Sequence, residues 1–145
     1  PVPHVSPWAN EAFRRLIAVF EDPLCPICRP LHKFLAQIPD TTVYHFPYPV
    51  ISNDSFKIAA TAWCSPDKAA VWNTAMTSTG MQLMERPSCD ISGIKAILDL
   101  GERLQVQGTP TVFLADGRRL QGATPPEAFM DALEQASKAS TAQLR

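Results

Sequence analysis

Two cysteines separated by two residues, Cys25-Pro26-Ile27-Cys28, are the side chains whose type and spacing most directly suggest chemistry. A thiolate attacks a disulfide sulfur, and a second thiol within reach can resolve the mixed disulfide that forms. The motif follows the apolar run Leu16-Ile17-Ala18-Val19-Phe20 and the turn Glu21-Asp22-Pro23-Leu24, and the residues after it read as a helix to about Ile38. Where a helix begins, unpaired N–H groups and the positive end of the dipole favour an anion. The dipole alone contributes ~1 kcal/mol, so local N–H groups and the Cys28 thiol are expected to supply the rest. On this reading Cys25 is the nucleophile, and Cys28, a turn inside the helix, is the more buried resolving thiol. Two other readings of these residues stand beside it. One is a purely structural Cys25–Cys28 disulfide; the other is a metal site with His32, one helical turn after Cys28, which lacks a convincing fourth ligand.

The elements that must position the motif alternate in type. Ser6-Pro7 reads as the start of a short helix to Arg15, the run at Leu16–Phe20 as a strand covered on both faces, and Thr42–Phe46 as a second strand. Apolar residues recur at helical spacing from Asp54 to Thr79, broken at Ser65-Pro66-Asp67, and a further helix is expected from Ile91 to Leu104. Thr111–Ala115 is a strand, Asp116-Gly117 a hairpin turn into Arg118–Gln121, and Pro125-Pro126-Glu127 opens a last helix ending by about Ala139. Strands alternating with helices at both ends of the chain predict an α/β fold, a mixed sheet with helices on its faces. The expected organisation is one domain over residues 1–145, with a lead-in and helix at 1–15, a helical insertion at 54–104 and a flexible tail at 139–145.

Composition narrows the function. A chain of 145 residues with 46% hydrophobic and 19% charged residues is that of one folded domain. A net charge of −1 without a basic run argues against nucleic-acid binding. No apolar stretch reaches the ~20 residues of a membrane-spanning helix. The remaining cysteines, Cys64 and Cys89, lie far apart, and an even count with one distant pair suits an oxidising compartment. The sequence begins at Pro1, so a secretory signal would be invisible after its removal.

Other residues have modest readings. Glu21 and Asp22 could relay protons to Cys28, although a solvated turn is the simpler reading. Trp63 and Trp72 read as helix-face core, and His4 and His45 as surface or strand histidines. Pro30 is expected to remove a helix hydrogen bond and kink the helix after the motif.

A second motif, Gly108-Thr109-Pro110, stands immediately before the β-branched run at Thr111. Together with Val19-Phe20-Glu21-Asp22 ahead of the cysteines, Leu31-His32 after them, Ala62-Trp63-Cys64-Ser65-Pro66-Asp67-Lys68, Ser88-Cys89-Asp90, Leu104–Thr111, Leu120-Gln121-Gly122 and Pro125-Pro126-Glu127, it resembles the catalytic domain of the bacterial disulfide isomerases of the DsbC and DsbG family. These stretches occur in the same order over about Leu16 to Leu133. The resemblance implies a thioredoxin-like fold with Cys25 as nucleophile, Cys28 as resolving thiol and Gly108-Thr109-Pro110 as a substrate-binding cis-proline loop. It also implies a structural Cys64–Cys89 disulfide, no cofactor and no metal. The implied partners are proteins carrying disulfides or thiols and a redox protein that resets the CxxC; the implied location is the periplasm. Two departures are evident: the family's N-terminal dimerisation domain is absent from this sequence, so a monomer is expected, and Pro-Ile is not the family isomerase's usual dipeptide. A thiol oxidase of the DsbA type is the alternative activity, and a non-catalytic metal-binding or redox-carrier module the alternative of another class.

Overall fold

The computed structural model describes residues 2–4 and 15–143. Its elements are β1 (Val2–His4), β2 (Arg15–Glu21), α1 (Cys28–Ala36), β3 (Thr41–Pro47), α2 (Asn53–Trp63), α3 (Lys68–Thr77), α4 (Ser92–Arg103), β4 (Thr111–Leu114), β5 (Arg119–Gln121) and α5 (Pro126–Gln143). The strands form one mixed sheet in the order β1-β3-β2-β4-β5, with β2 and β3 parallel and the other pairs antiparallel.

Strand alternation divides the sheet into two apolar faces. Ile17 and Val19 of β2, Val43 of β3, and Val112 and Leu114 of β4 join Leu35 and Ile38 from the α1 side and Phe129 and Leu133 of α5 in one core. The intervening Phe20 turns to the opposite face and packs with Tyr48, Ile97 of α4 and Val106. Around Phe20, Phe46 stacks at 4.9 Å between ring centroids, while Tyr48 and Phe113 approach edge-on at 5.5 and 5.8 Å. A third cluster, under the CxxC, joins both cysteines to Ala59, Ala60, Trp72, Met76 and Ile94 of the three helices inserted between β3 and β4. Small alanines on α2 let α3 and α4 close over the cysteines.

The mixed sheet and the helical insertion agree with expectation. Four details differ. The short strand β1 is additional to the expected elements, because three residues carry no periodicity. Most of the expected Pro7–Arg15 helix lies outside the described residues, and Arg15 itself is the first residue of β2. α1 starts at Cys28, so Pro30 occupies the first helical turn; its missing N–H would have had no partner within the helix, which removes the reason to expect a kink. α5 continues to Gln143 and does not end by Ala139, since Ala136–Gln143 contains no Gly or Pro to stop it. Gly117 takes the left-handed conformation required by the β4–β5 turn, at φ +88°.

Candidate active site

Cys25 lies in the turn between β2 and α1, and Cys28 is the first residue of α1. The turn is closed by the Cys25 N–H donating to the Asp22 carbonyl at 3.0 Å. Ile27, at the start of α1, offers no side-chain cap. The Cys25 sulfur serves instead, accepting the Cys28 N–H at 3.2 Å. Both thiols are free, Cys25 at 4% exposure and Cys28 at 0%. Burial, and after it the hydrogen bond with Cys25, push the Cys28 thiol far above its ordinary range. The pair is therefore asymmetric in the sense expected, although Cys28 opens the helix and does not sit a turn inside it.

The Gly108-Thr109-Pro110 loop comes to the same place from the other end of the chain. The Thr109–Pro110 peptide bond is cis, and the Cys25 thiol donates to the Thr109 carbonyl at 3.4 Å. The loop is anchored on both sides. Thr111 Oγ1 donates to the Gly108 carbonyl at 2.7 Å, and the Gly122 N–H to the Pro110 carbonyl at 2.9 Å. Ahead of it the buried Tyr48 hydroxyl donates to the Val106 carbonyl at 3.0 Å. Tyr48 fits there because Gly101 has no side chain: a Cβ would stand 2.2 Å from the ring. Gly108 is exposed, Thr109 half-buried and Pro110 buried.

Glu21 and Asp22 are both fully buried, which overturns the solvated-turn reading. Glu21 Oε1 accepts from His45 Nδ1 at 2.7 Å, Trp72 Nε1 at 2.8 Å and His32 Nδ1 at 3.0 Å. Burial pushes this carboxyl up, but hydrogen bonds from His32 and His45 and their charges outweigh it and hold the group at about 2. His32 presents its other ring nitrogen to Asn73 Oδ1 at 2.9 Å, so both nitrogens face acceptors, the pattern of an imidazolium. Burial pushes His32 down, and Glu21 and Asn73 raise it further than burial lowers it. The network joins β2, β3, α1 and α3.

Asp22 is held by backbone alone. Its Oδ1 accepts the Leu24 N–H at 2.9 Å, and its Oδ2 the N–H groups of Val50 and Ile51 at 3.1 and 3.0 Å. These partners lie as far as 29 residues away in sequence, and nothing local announces them. The signal available for Glu21 was the alternation of β2, which puts it on the inward face with Ile17 and Val19.

His32 is not free to join Cys25 and Cys28 around a metal, since both its nitrogens are engaged elsewhere. Among the described residues the donor atoms of Glu21, His32 and His45 lie within 4.8 Å of one another. The histidine nitrogens sit 2.7 and 3.0 Å from the carboxylate oxygen, at hydrogen-bond separation. Cys64 and Cys89 are bonded to each other, with Cα atoms 5.4 Å apart, tying the end of α2 to the loop before α4.

Residues 7–137 match the family model described as "Thioredoxin-like domain". The chain belongs to this family. It is 40% identical over 111 residues to a probable thiol:disulfide interchange protein DsbC of Bordetella parapertussis, covering 77% of this chain and 39% of that protein. It is 30% identical over 129 residues to the thiol:disulfide interchange protein DsbC of Escherichia coli, covering 86% and 53%. The chain thus spans between about two-fifths and half the length of these relatives. A solved disulfide interchange protein from Neisseria gonorrhoeae superposes with a TM-score of 0.66 at 29% identity, covering 90% of each chain. What this thioredoxin-like domain can do chemically is set by its geometry: one sulfur at a helix start beside the Thr109 carbonyl that precedes the cis-proline, and a second sulfur buried directly behind it.

Proposed function

We propose that this domain exchanges thiols and disulfides with polypeptide substrates through Cys25, with Cys28 as the resolving thiol. The observation that carries this reading is the placement of the Cys25 sulfur between the Cys28 N–H and the Thr109 carbonyl beside the cis-proline bond. The Cys25 thiolate attacks one sulfur of a substrate disulfide, that S–S bond breaks, and the second substrate sulfur leaves as a thiolate that takes up a proton. The product is a mixed disulfide. Cys28 then loses its proton and attacks the Cys25 sulfur, which releases a reduced substrate and leaves a Cys25–Cys28 disulfide. If a second substrate thiol attacks the mixed disulfide first, the substrate is isomerised and Cys25 leaves unchanged.

Similarity to the relatives named DsbC favours the isomerase and reductase direction over the oxidase. That direction requires a redox partner protein that keeps the CxxC reduced. The Cys64–Cys89 disulfide favours an oxidising compartment such as the periplasm. The polypeptide substrate is recognised next to the cis-proline loop, where Gly108 and Thr109 are accessible, and a monomer suffices for exchange.

Trapping tests the reading. Cys28→Ser, incubated with a disulfide-containing peptide, is expected to accumulate a stable mixed disulfide at Cys25, seen as an added peptide mass. Cys25→Ser is expected to accumulate none. Adducts at Cys28 alone, or at neither residue, would contradict the assignment.

A further inference from the structure

The segment that enters the cis-proline loop begins with a reversal at the end of α4. Gln105 closes it in the left-handed conformation, at φ +58°, a position usually taken by glycine. The Gln105 N–H donates to the Glu102 carbonyl at 3.0 Å and the Val106 N–H to the Gly101 carbonyl at 2.8 Å. The carbonyls of the reversal are then taken by side chains from two other parts of the chain. Arg119 of β5 donates from Nη2 to the Leu104 carbonyl at 2.6 Å and from Nη1 to the Gln105 carbonyl at 3.1 Å. The Tyr48 hydroxyl holds the Val106 carbonyl at 3.0 Å. Three successive carbonyls are thus pinned just ahead of Thr109, whose own carbonyl meets the Cys25 thiol at 3.4 Å.

Arg119 is itself held in place. The β4–β5 register sets it opposite Phe113, and its Cζ lies over that ring, 4.6 Å from the centroid. Phe113 in turn packs edge-on against Phe20. The guanidinium therefore rests on the core, and its planar fork spans two adjacent carbonyls in a way a lysine ammonium does not reproduce. A left-handed residue other than glycine persists where its surroundings over-determine it, and the Arg119 fork supplies that constraint at Gln105. Between Val106 and Thr109 stand only Gln107 and Gly108, both exposed, and a Cβ at Gly108 would meet open space. The packing around that stretch is too sparse to set its path, so the path follows from the reversal behind it and the Thr111 hydroxyl ahead of it.

We infer that Arg119 is a positioning residue for exchange with polypeptides: by gripping the Leu104 and Gln105 carbonyls it fixes the reversal at the end of α4, and with it the place of Gly108 and Thr109 beside Cys25. The inference rests on the exchange activity proposed above, and adds to that site a residue of the short strand β5.

A peptide disulfide and cystamine, a small disulfide with no peptide backbone to lie along the loop, separate the possible roles. Arg119→Met keeps an apolar stem over Phe113 and removes the fork. It is expected to lower kcat/KM for the peptide disulfide by about tenfold, through KM, because a displaced loop binds the substrate backbone less well. The cystamine rate is expected to stay within about twofold of the wild type. Adding Gln105→Gly, which adopts the left-handed conformation without help, is expected to bring the peptide KM back to within about threefold. Should Arg119→Met not fold, Arg119→Lys, which retains the charge without the fork, is expected to raise the peptide KM by about threefold at an unchanged cystamine rate. A folded Arg119 variant with lowered Tm but unaltered peptide KM would make Arg119 a structural cap alone and overturn the inference. An equal loss with both disulfides would place the effect at Cys25 and overturn it too. A double variant as impaired as Arg119→Met would overturn the route through Gln105. Failure of the wild type to exchange with either disulfide would instead overturn the exchange reading itself.

Discussion

The two cysteine pairs of this domain invert a simple expectation. The pair enclosed in the protein, Cys25 and Cys28, is unbonded, whereas the more exposed pair, Cys64 and Cys89, is the one that is bonded. The difference lies in what surrounds each sulfur. Cys25 has a helix-start N–H at 3.2 Å and the Thr109 carbonyl, just before the cis-proline, at 3.4 Å, and Cys28 is desolvated behind it. On the function proposed here, these contacts set the order of attack, Cys25 before Cys28. Cys64 and Cys89 have no comparable setting; they join two segments of the inserted helical block that are 25 residues apart. On the function proposed here one pair serves turnover and the other restraint, and burial alone distinguishes them in the wrong direction.

That contrast can be broken most severely at the bonded pair. Replacing Cys64 and Cys89 together by Ala should lower stability by about 3–4 kcal/mol in the chain-entropy view of a loop this long. In chemical denaturation this appears as a lower midpoint. Exchange through Cys25 per folded molecule should stay within about twofold. A large loss of exchange at full folding would mean that the two pairs are not separate in function.

A smaller effect sharpens the contrast at the carboxylates between β2 and α1. Glu21 is held at about 2 against an ordinary 4.5. A lowered folded value means that the unfolded chain binds the proton more readily, so this contribution is complete above about pH 4.5 and is lost as pH falls toward 2. His32 is raised above its ordinary 6.5, so its contribution is complete below that value and is lost as pH rises through the higher folded one. Stability measured against pH should therefore be greatest between about 4.5 and 6.5. Glu21→Gln should flatten both flanks and lower the maximum by about 3 kcal/mol, because it leaves a buried His32 without its partner. A Gln variant with the wild-type pH profile would show that the His32–Glu21 pair is not what sets it.

Much of this was legible in the sequence for a physical reason: local chemistry writes local signals. Apolar β-branched runs marked β2, β3 and β4, Asp116-Gly117 marked the hairpin, and the CxxC and Gly-Thr-Pro motifs marked the two halves of the site. The pairing of Cys64 with Cys89 and the cis bond at Pro110 came from resemblance, because spacing alone determines neither. What stayed hidden depends on distant partners. Glu21 and Asp22 look like a turn beside Pro23, and only the fold brings His45 and Trp72 to one and Val50 and Ile51 to the other. The kink expected at Pro30 turns on one boundary: with the helix starting at Cys28, its missing N–H has no helical partner to lose.

The central claim is that Cys25 attacks and Cys28 waits. Its most direct measurement is the alkylation rate of the fully reduced protein against pH, with the modified cysteine located by mass mapping. The account predicts that Cys25 is labelled first throughout the neutral range, while Cys28 stays unmodified until the solution is strongly alkaline, since burial disfavours its thiolate. Equal labelling of the two, or labelling of Cys28 ahead of Cys25, would contradict it.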